Sequence, residues 1–144
     1  MPMDEPVLLG QPMCVKDAQS RNPLALAFVG DTVWDLLVRQ RLLLTTARVH
    51  SLHRQAVDHV NAGAQARALG RIEALLTQPE ADVVRRGRNA HCKHVVPKNQ
   101  DPVDYRHATG LEALVGYLYL TGQHQRICEL FEAAHSESED TPDA

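Results

Sequence analysis

Aromatic side chains are scarce in this chain: one Trp, two Phe and three Tyr make up 4% of 144 residues. That leaves no basis for a surface that binds nucleic acid by stacking bases on rings. Cysteine is nearly as rare. Cys14, Cys92 and Cys128 are odd in number and have no paired spacing, which excludes a disulfide scaffold and points to free thiols in a reducing, cytoplasmic setting. Long apolar runs are missing too; stretches such as Leu42 to Leu44 are far too short to span a membrane. The opening residues Met1 to Glu5 lack the basic-then-apolar order of a secretion signal. No segment alternates apolar and polar residues around a hairpin turn, so strands are not expected. An excess of positive charge is also absent: the net charge is −3 and the pI about 6.2, which taken as an average argues against a nucleic-acid partner.

Enough is present to build one domain. Apolar residues reach 44%, and a chain of about 150 residues buries roughly 70% of its unfolded surface without metal or disulfide support. The charge average also conceals a segregation. Before Ser20, Asp4, Glu5 and Asp17 face only Lys16; from Glu129 onward there are six acids and no Lys or Arg. The stretch between them is left with 14 basic and 9 acidic residues, a net of +5. Its most basic portion holds Arg85, Arg86, Arg88, Lys93 and Lys98 with no acid among them. Residues 1–19 read as a flexible lead-in, 20–134 as the folded domain, and 135–144 as an acidic disordered tail.

Helical signals fill the body. Asn22–Pro23 pairs a capping residue with a first-turn proline, and an apolar stripe follows to about Leu44. A second helix is expected from near His50 to Leu76, bent or broken at Gly63 or Gly70. A third starts at Pro79 and fades near Gly87, and His91–Gln100 reads as a loop. Asp101–Pro102 repeats the start signal for a helix to about Thr121; Gly122 stops it before a last helix from His124 to Ala134. The class is all-α.

Two carboxylates interrupt apolar helical surroundings: Asp31, after Gly30, and Glu112, inside Leu111–Gly116. A lone charge in such a place is costly unless it is paired or used. Two helix-borne acids could cage a hard cation such as Mg²⁺; equally, they could pair with Arg106 or His107. His91, Cys92 and His94 offer no second ligand pair for zinc.

Five segments in order then carry a resemblance. Ala27–Asp35 (AFVGDTVWD) resembles the signature helix of ribonuclease III catalytic domains, and Leu111–Gly116 (LEALVG) resembles the family's second acidic helix. Arg85–Ala90, Pro97–Asn99 and Tyr105–His107 resemble its short Mini-ribonuclease III branch, which lacks a double-stranded-RNA-binding domain. The resemblance implies a helical bundle that homodimerises. It also implies an endoribonuclease in which Asp31 and Glu112 hold Mg²⁺, with Mn²⁺ as a substitute, and cut double-stranded RNA, namely precursor 23S ribosomal RNA. Arg85, Arg86, Arg88, Lys93 and Lys98 would then grip the duplex. Asp35, Asn99 and Arg106 are candidates for groups that orient the site, and ribosomal proteins are candidate helpers. Longer relatives carry further acids where this chain has Leu24, Ala27 and Thr109, so one well-held ion is expected rather than two. The rival readings are a non-catalytic RNA-binding or ribosome-assembly module of the same fold, and an all-α scaffold that works through its acidic tail.

Overall fold

The computed structural model describes residues 10–45, 48–90 and 98–140. Seven α-helices account for most of them: α1 Val15–Ser20, α2 Pro23–Leu44, α3 Val49–Val60, α4 Ala62–Ile72, α5 Gln78–Asn89, α6 Pro102–Leu120 and α7 His124–Asp140. A single 3₁₀ turn, Glu73–Leu75, ends α4, and no strand forms among the described residues.

The start signals work as their chemistry requires. The Asn22 side chain accepts from the Leu24 N–H at 2.9 Å, and Asp101 accepts from Val103 and Asp104 at 2.8 and 3.2 Å. Each replaces a hydrogen bond that the first helical turn lacks. At α5, Thr77 and Glu80 form a reciprocal capping box. At the far end of α6, Gly122 takes φ 75°, the left-handed conformation that lets the Gln123 N–H reach back to the Leu118 carbonyl at 2.8 Å.

Helix α6 is the axis of the molecule. Nearly all of Ala108–Leu118 is buried, because α2, α4, α5 and α7 pack around it. The α2–α6 crossing is the closest of these. A Cβ added at Gly30 would overlap the Glu112 carbonyl oxygen, and one at Gly116 would overlap the Leu26 carbonyl oxygen. Two glycines facing each other thus let the backbones touch. Trp34, Val38, Leu111, Leu114 and Leu118 fill the space on either side, all 2% exposed or less.

One ion pair is built into this interior. Arg126 on α7 meets both Glu80 oxygens at 2.9 Å and also bonds the Leu75 carbonyl at 2.8 Å. Burial works to raise the Glu80 carboxyl, but the Arg126 guanidinium and the Thr77 N–H outweigh it and hold the group below the ordinary carboxylate value.

Three boundaries differ from expectation. The second helix is broken at Asn61 rather than at a glycine. Asn61 adopts extended backbone, closes α3 through its N–H on Val57, and caps α4 by accepting from Ala64 at 2.8 Å. The lead-in is docked from Met13 on: Ala18 is fully buried, the Met13 N–H donates to Leu120 at 2.6 Å, and Arg86 bonds the carbonyls of Gln19 and Arg21. Finally, α7 continues past Ala134 to Asp140, so the acidic tail is helical over its first residues. His135 anchors it, buried against the rings of Trp34 and Phe131 with Nδ1 at 2.8 Å from the Phe131 carbonyl.

Gly30→Ala should destabilise the protein by about 3 kcal/mol or more, since the group it strikes is backbone and cannot rotate away. Urea unfolding measures this. Gly70→Ala, where open space surrounds the added methyl, should be neutral or stabilising and serves as the control.

Candidate active site

The residues that let α2 and α6 touch also bring the two acids together. Asp31 follows Gly30 on α2, and the Gly30 backbone lies against the peptide of Glu112 on α6. The carboxyl groups consequently share one cleft of about 390 Å³, whose lining includes Ala27, Phe28, Gln65, Tyr105 and Thr109. Asp31 is exposed at its mouth, and Glu112 is half-buried within it. None of the described residues lining the cleft is Lys, Arg or His. The pairing of these acids with Arg106 or His107, left open by the sequence, is therefore not what the cleft contains.

The electrostatic consequence falls on Glu112. Burial, then hydrogen bonding to Asp31 and the repulsion of that neighbouring carboxylate, push its carboxyl up to about 9; only the Gln65 amide opposes this. Two oxygen-ligand side chains without an internal counter-charge suit a hard divalent cation, which favours carboxylates and retains several waters. Among the described residues there is no group of three or more His, Cys, Asp or Glu that could hold a metal. Leu24, Ala27 and Thr109 also line the cleft and add no acid to it. The carboxylates available in the cleft are those of Asp31 and Glu112.

Other expected site residues are distributed more widely. Asp35 is turned to Arg39, whose Nε lies 3.1 Å from both of its oxygens. Asn99 is exposed in the turn before Gln100, a lining residue, and Arg106 is exposed beside Tyr105, another. Of the basic group, Arg85 pairs with Asp82 at 3.0 Å and Arg88 with Glu73 at 3.8 Å, both on accessible surface. Arg86 directs its donors at the backbone of residues 19 and 21. Lys98 is exposed. Lys93, and with it His91, Cys92 and His94, lies outside the described residues.

Sequence reasoning missed Gln65, Asn61 and Gln100. A signal existed for Gln65. It falls in phase with Ala68, Leu69 and Ile72, the buried stripe of α4, where a polar residue needs a partner. Asn61 and Gln100 sit in connections and carry no periodic signal.

The raised Glu112 carboxyl has a direct consequence for stability. Its value in the fold, about 9, exceeds its ordinary 4.5, so its contribution is complete below pH 4.5 and is lost as pH rises toward 9. In chelator at pH 8, Glu112→Gln should therefore melt a few degrees above the parent, with the advantage vanishing at pH 4.5. Thermal denaturation at the two pH values checks this.

Comparison with known proteins identifies the family. The family model for the ribonuclease III domain matches residues 24–123. A Mini-ribonuclease 3 of Symbiobacterium thermophilum is 51% identical over 113 residues, covering 78% of this chain and 86% of that protein. The Mini-ribonuclease 3 of Brevibacillus brevis is 43% identical over 83% of this chain and 89% of its own length. A crystal structure of a Fusobacterium nucleatum protein superposes with a TM-score of 0.75 at 25% identity, covering 85% of this chain and 98% of that one. With residues 24–123 matched by the family model and Mini-ribonucleases 3 matched over about four fifths of its length, the chain belongs to the ribonuclease III family, in the Mini-ribonuclease III branch, and is an endoribonuclease.

Proposed function

We propose that this endoribonuclease cleaves double-stranded RNA with a divalent cation, Mg²⁺ or Mn²⁺, held by Asp31 and Glu112, and that its substrate is precursor 23S ribosomal RNA. The observation that carries the reading is the pair of carboxylates brought face to face by the α2–α6 crossing, with no cationic side chain among the described residues lining the cleft. A cation bound there would lower the pKa of an attacking water and offset charge on the phosphate oxygens. The chain's own residues do the rest. Asp31, at the mouth, presents its carboxylate to the incoming backbone, while Glu112 holds the inner position. Ala27, Phe28 and Ala108 supply the apolar walls of the cleft.

Double-stranded RNA is recognised through phosphates, 2′-hydroxyls and shape rather than base edges. Arg85, Arg88, Lys93 and Lys98 supply charge for that purpose, while Arg86 contributes mainly by fixing the segment that precedes α2. Two strands require two cuts, which a homodimer provides. Phe28, 80% exposed at the cleft, and Leu36 and Leu43 further along α2, 59% and 70% exposed, form an apolar face suited to a second copy. Ribosomal proteins that present the RNA fit the same scheme.

The decisive experiment incubates purified protein with duplex RNA, with Mg²⁺ and with chelator, beside the Asp31→Asn variant. Cleavage should fall by at least about 10³-fold in chelator and in the variant, with folding retained by circular dichroism. Cleavage that persists in either sinks the mechanism. Lys93→Ala with Lys98→Ala should weaken duplex binding and flatten its dependence on salt, because each lost phosphate contact removes one released counterion. An unchanged salt slope would take these two residues out of the interface.

A further inference from the structure

The cleft contains one buried polar side chain that neither carboxylate chemistry nor capping explains. Gln65 is 2% exposed, and its Nε2 points at Glu112 Oε2 from 3.5 Å, a long contact joining α4 to α6. Its backbone is fixed independently: the Gln65 N–H donates to Asn61 at 3.0 Å in the first turn of α4, which Asn61 also caps. Ala68, Leu69 and Ile72 hold the same face of α4 in the core. The side chain therefore reaches the cleft from a rigid base.

We propose that Gln65 is a positioning residue of the endoribonuclease reaction, its amide N–H₂ fixing the orientation of the Glu112 carboxylate toward Asp31. The physical reason lies in the kind of donor. Glu112 has three rotatable side-chain bonds, so in the doubly charged state that a cation requires an unanchored carboxylate would swing outward from the like-charged Asp31. A Lys or Arg in that place would anchor it but would cancel the negative charge that a cation requires. A neutral amide holds one oxygen and leaves the charge intact. Groups that orient ligands in this way typically change metal affinity or activity by about 10- to 100-fold when removed. The inference rests on the reading of Asp31 and Glu112 as a divalent-cation site.

The test uses Gln65→Met, which keeps the volume and removes the donor, and Gln65→Asn, which keeps the amide but is one methylene too short. Mn²⁺ affinity is read by electron paramagnetic resonance without RNA, then kcat and KM on duplex RNA, with melting curves as the control for folding. Both variants should bind Mn²⁺ about 10- to 100-fold more weakly and lose kcat at saturating RNA, with KM for the duplex within about twofold of the parent. In the parent, Mn²⁺ should broaden the Gln65 side-chain amide signals in nuclear magnetic resonance, a readout that needs no variant to fold. Parent-like Mn²⁺ affinity in a folded Gln65→Met would overturn the assignment alone and leave the cation site standing. A parent that binds no Mn²⁺ and cleaves in chelator would overturn both.

Discussion

The core of this molecule depends on two helices touching through glycine. An ordinary helix pair stands 8–10 Å apart, held off by side chains. At the α2–α6 crossing Gly30 and Gly116 remove that spacer, and each accepts a carbonyl of the other helix where a Cβ would have been. Because Asp31 follows Gly30 and Glu112 supplies the carbonyl that Gly30 receives, the packing contact and the carboxylate pair form one structure. A small residue here serves shape first and chemistry second. A shift along either helix would lose the pair even with both acids intact.

That arrangement stores an electrostatic conflict. Glu112 is half-buried and beside another acid, and its carboxyl rises to about 9 as a result. The fold tolerates a local arrangement less stable than a neutral pair would be, which is a usual sign of a working site. The contrast with Glu80 is instructive. Its side chain is also covered, only 4% exposed, yet it meets Arg126 through both oxygens and stays below the ordinary carboxylate value. The same side chain is a structural strut where a guanidinium faces it and an electrostatic strain on the fold where a carboxylate does.

The basic residues divide along similar lines. Arg86 and Arg126 are tied to backbone carbonyls and hold α1 and α7 against the body. Arg85 and Arg88 form ion pairs on accessible surface, and such pairs are worth little and exchange readily for other partners. They remain available to a polyanion in a way that Arg86 is not. The overall charge of −3 thus says little about the partner, since what matters is which charges are committed inside the chain.

Much of the fold was legible in the sequence because its signals are local. Asn22–Pro23, Asp101–Pro102 and Gly122 act within one turn of themselves, so the bounds of α2 and α6 and the start of α7 follow from residue type alone. Asp31 and Glu112 stood out because a charge on an apolar stripe contradicts its neighbours. The break at Asn61, the docking of residues 13–20 and the continuation of α7 beyond Ala134 were not legible. The last two are decided by partners distant in sequence, Leu120 and Arg86 for the N-terminal segment and Trp34 for His135, whereas the Asn61 cap is local but sits in a connection with no periodic signal. Gln65 lies between these cases. Its place on the buried stripe of α4 is written in the sequence, but its partner is 47 residues away. By itself the sequence determined the helices, their caps and the two acids. Only the tertiary structure decided which side chains face each other across the helices, because that depends on how closely two backbones can approach.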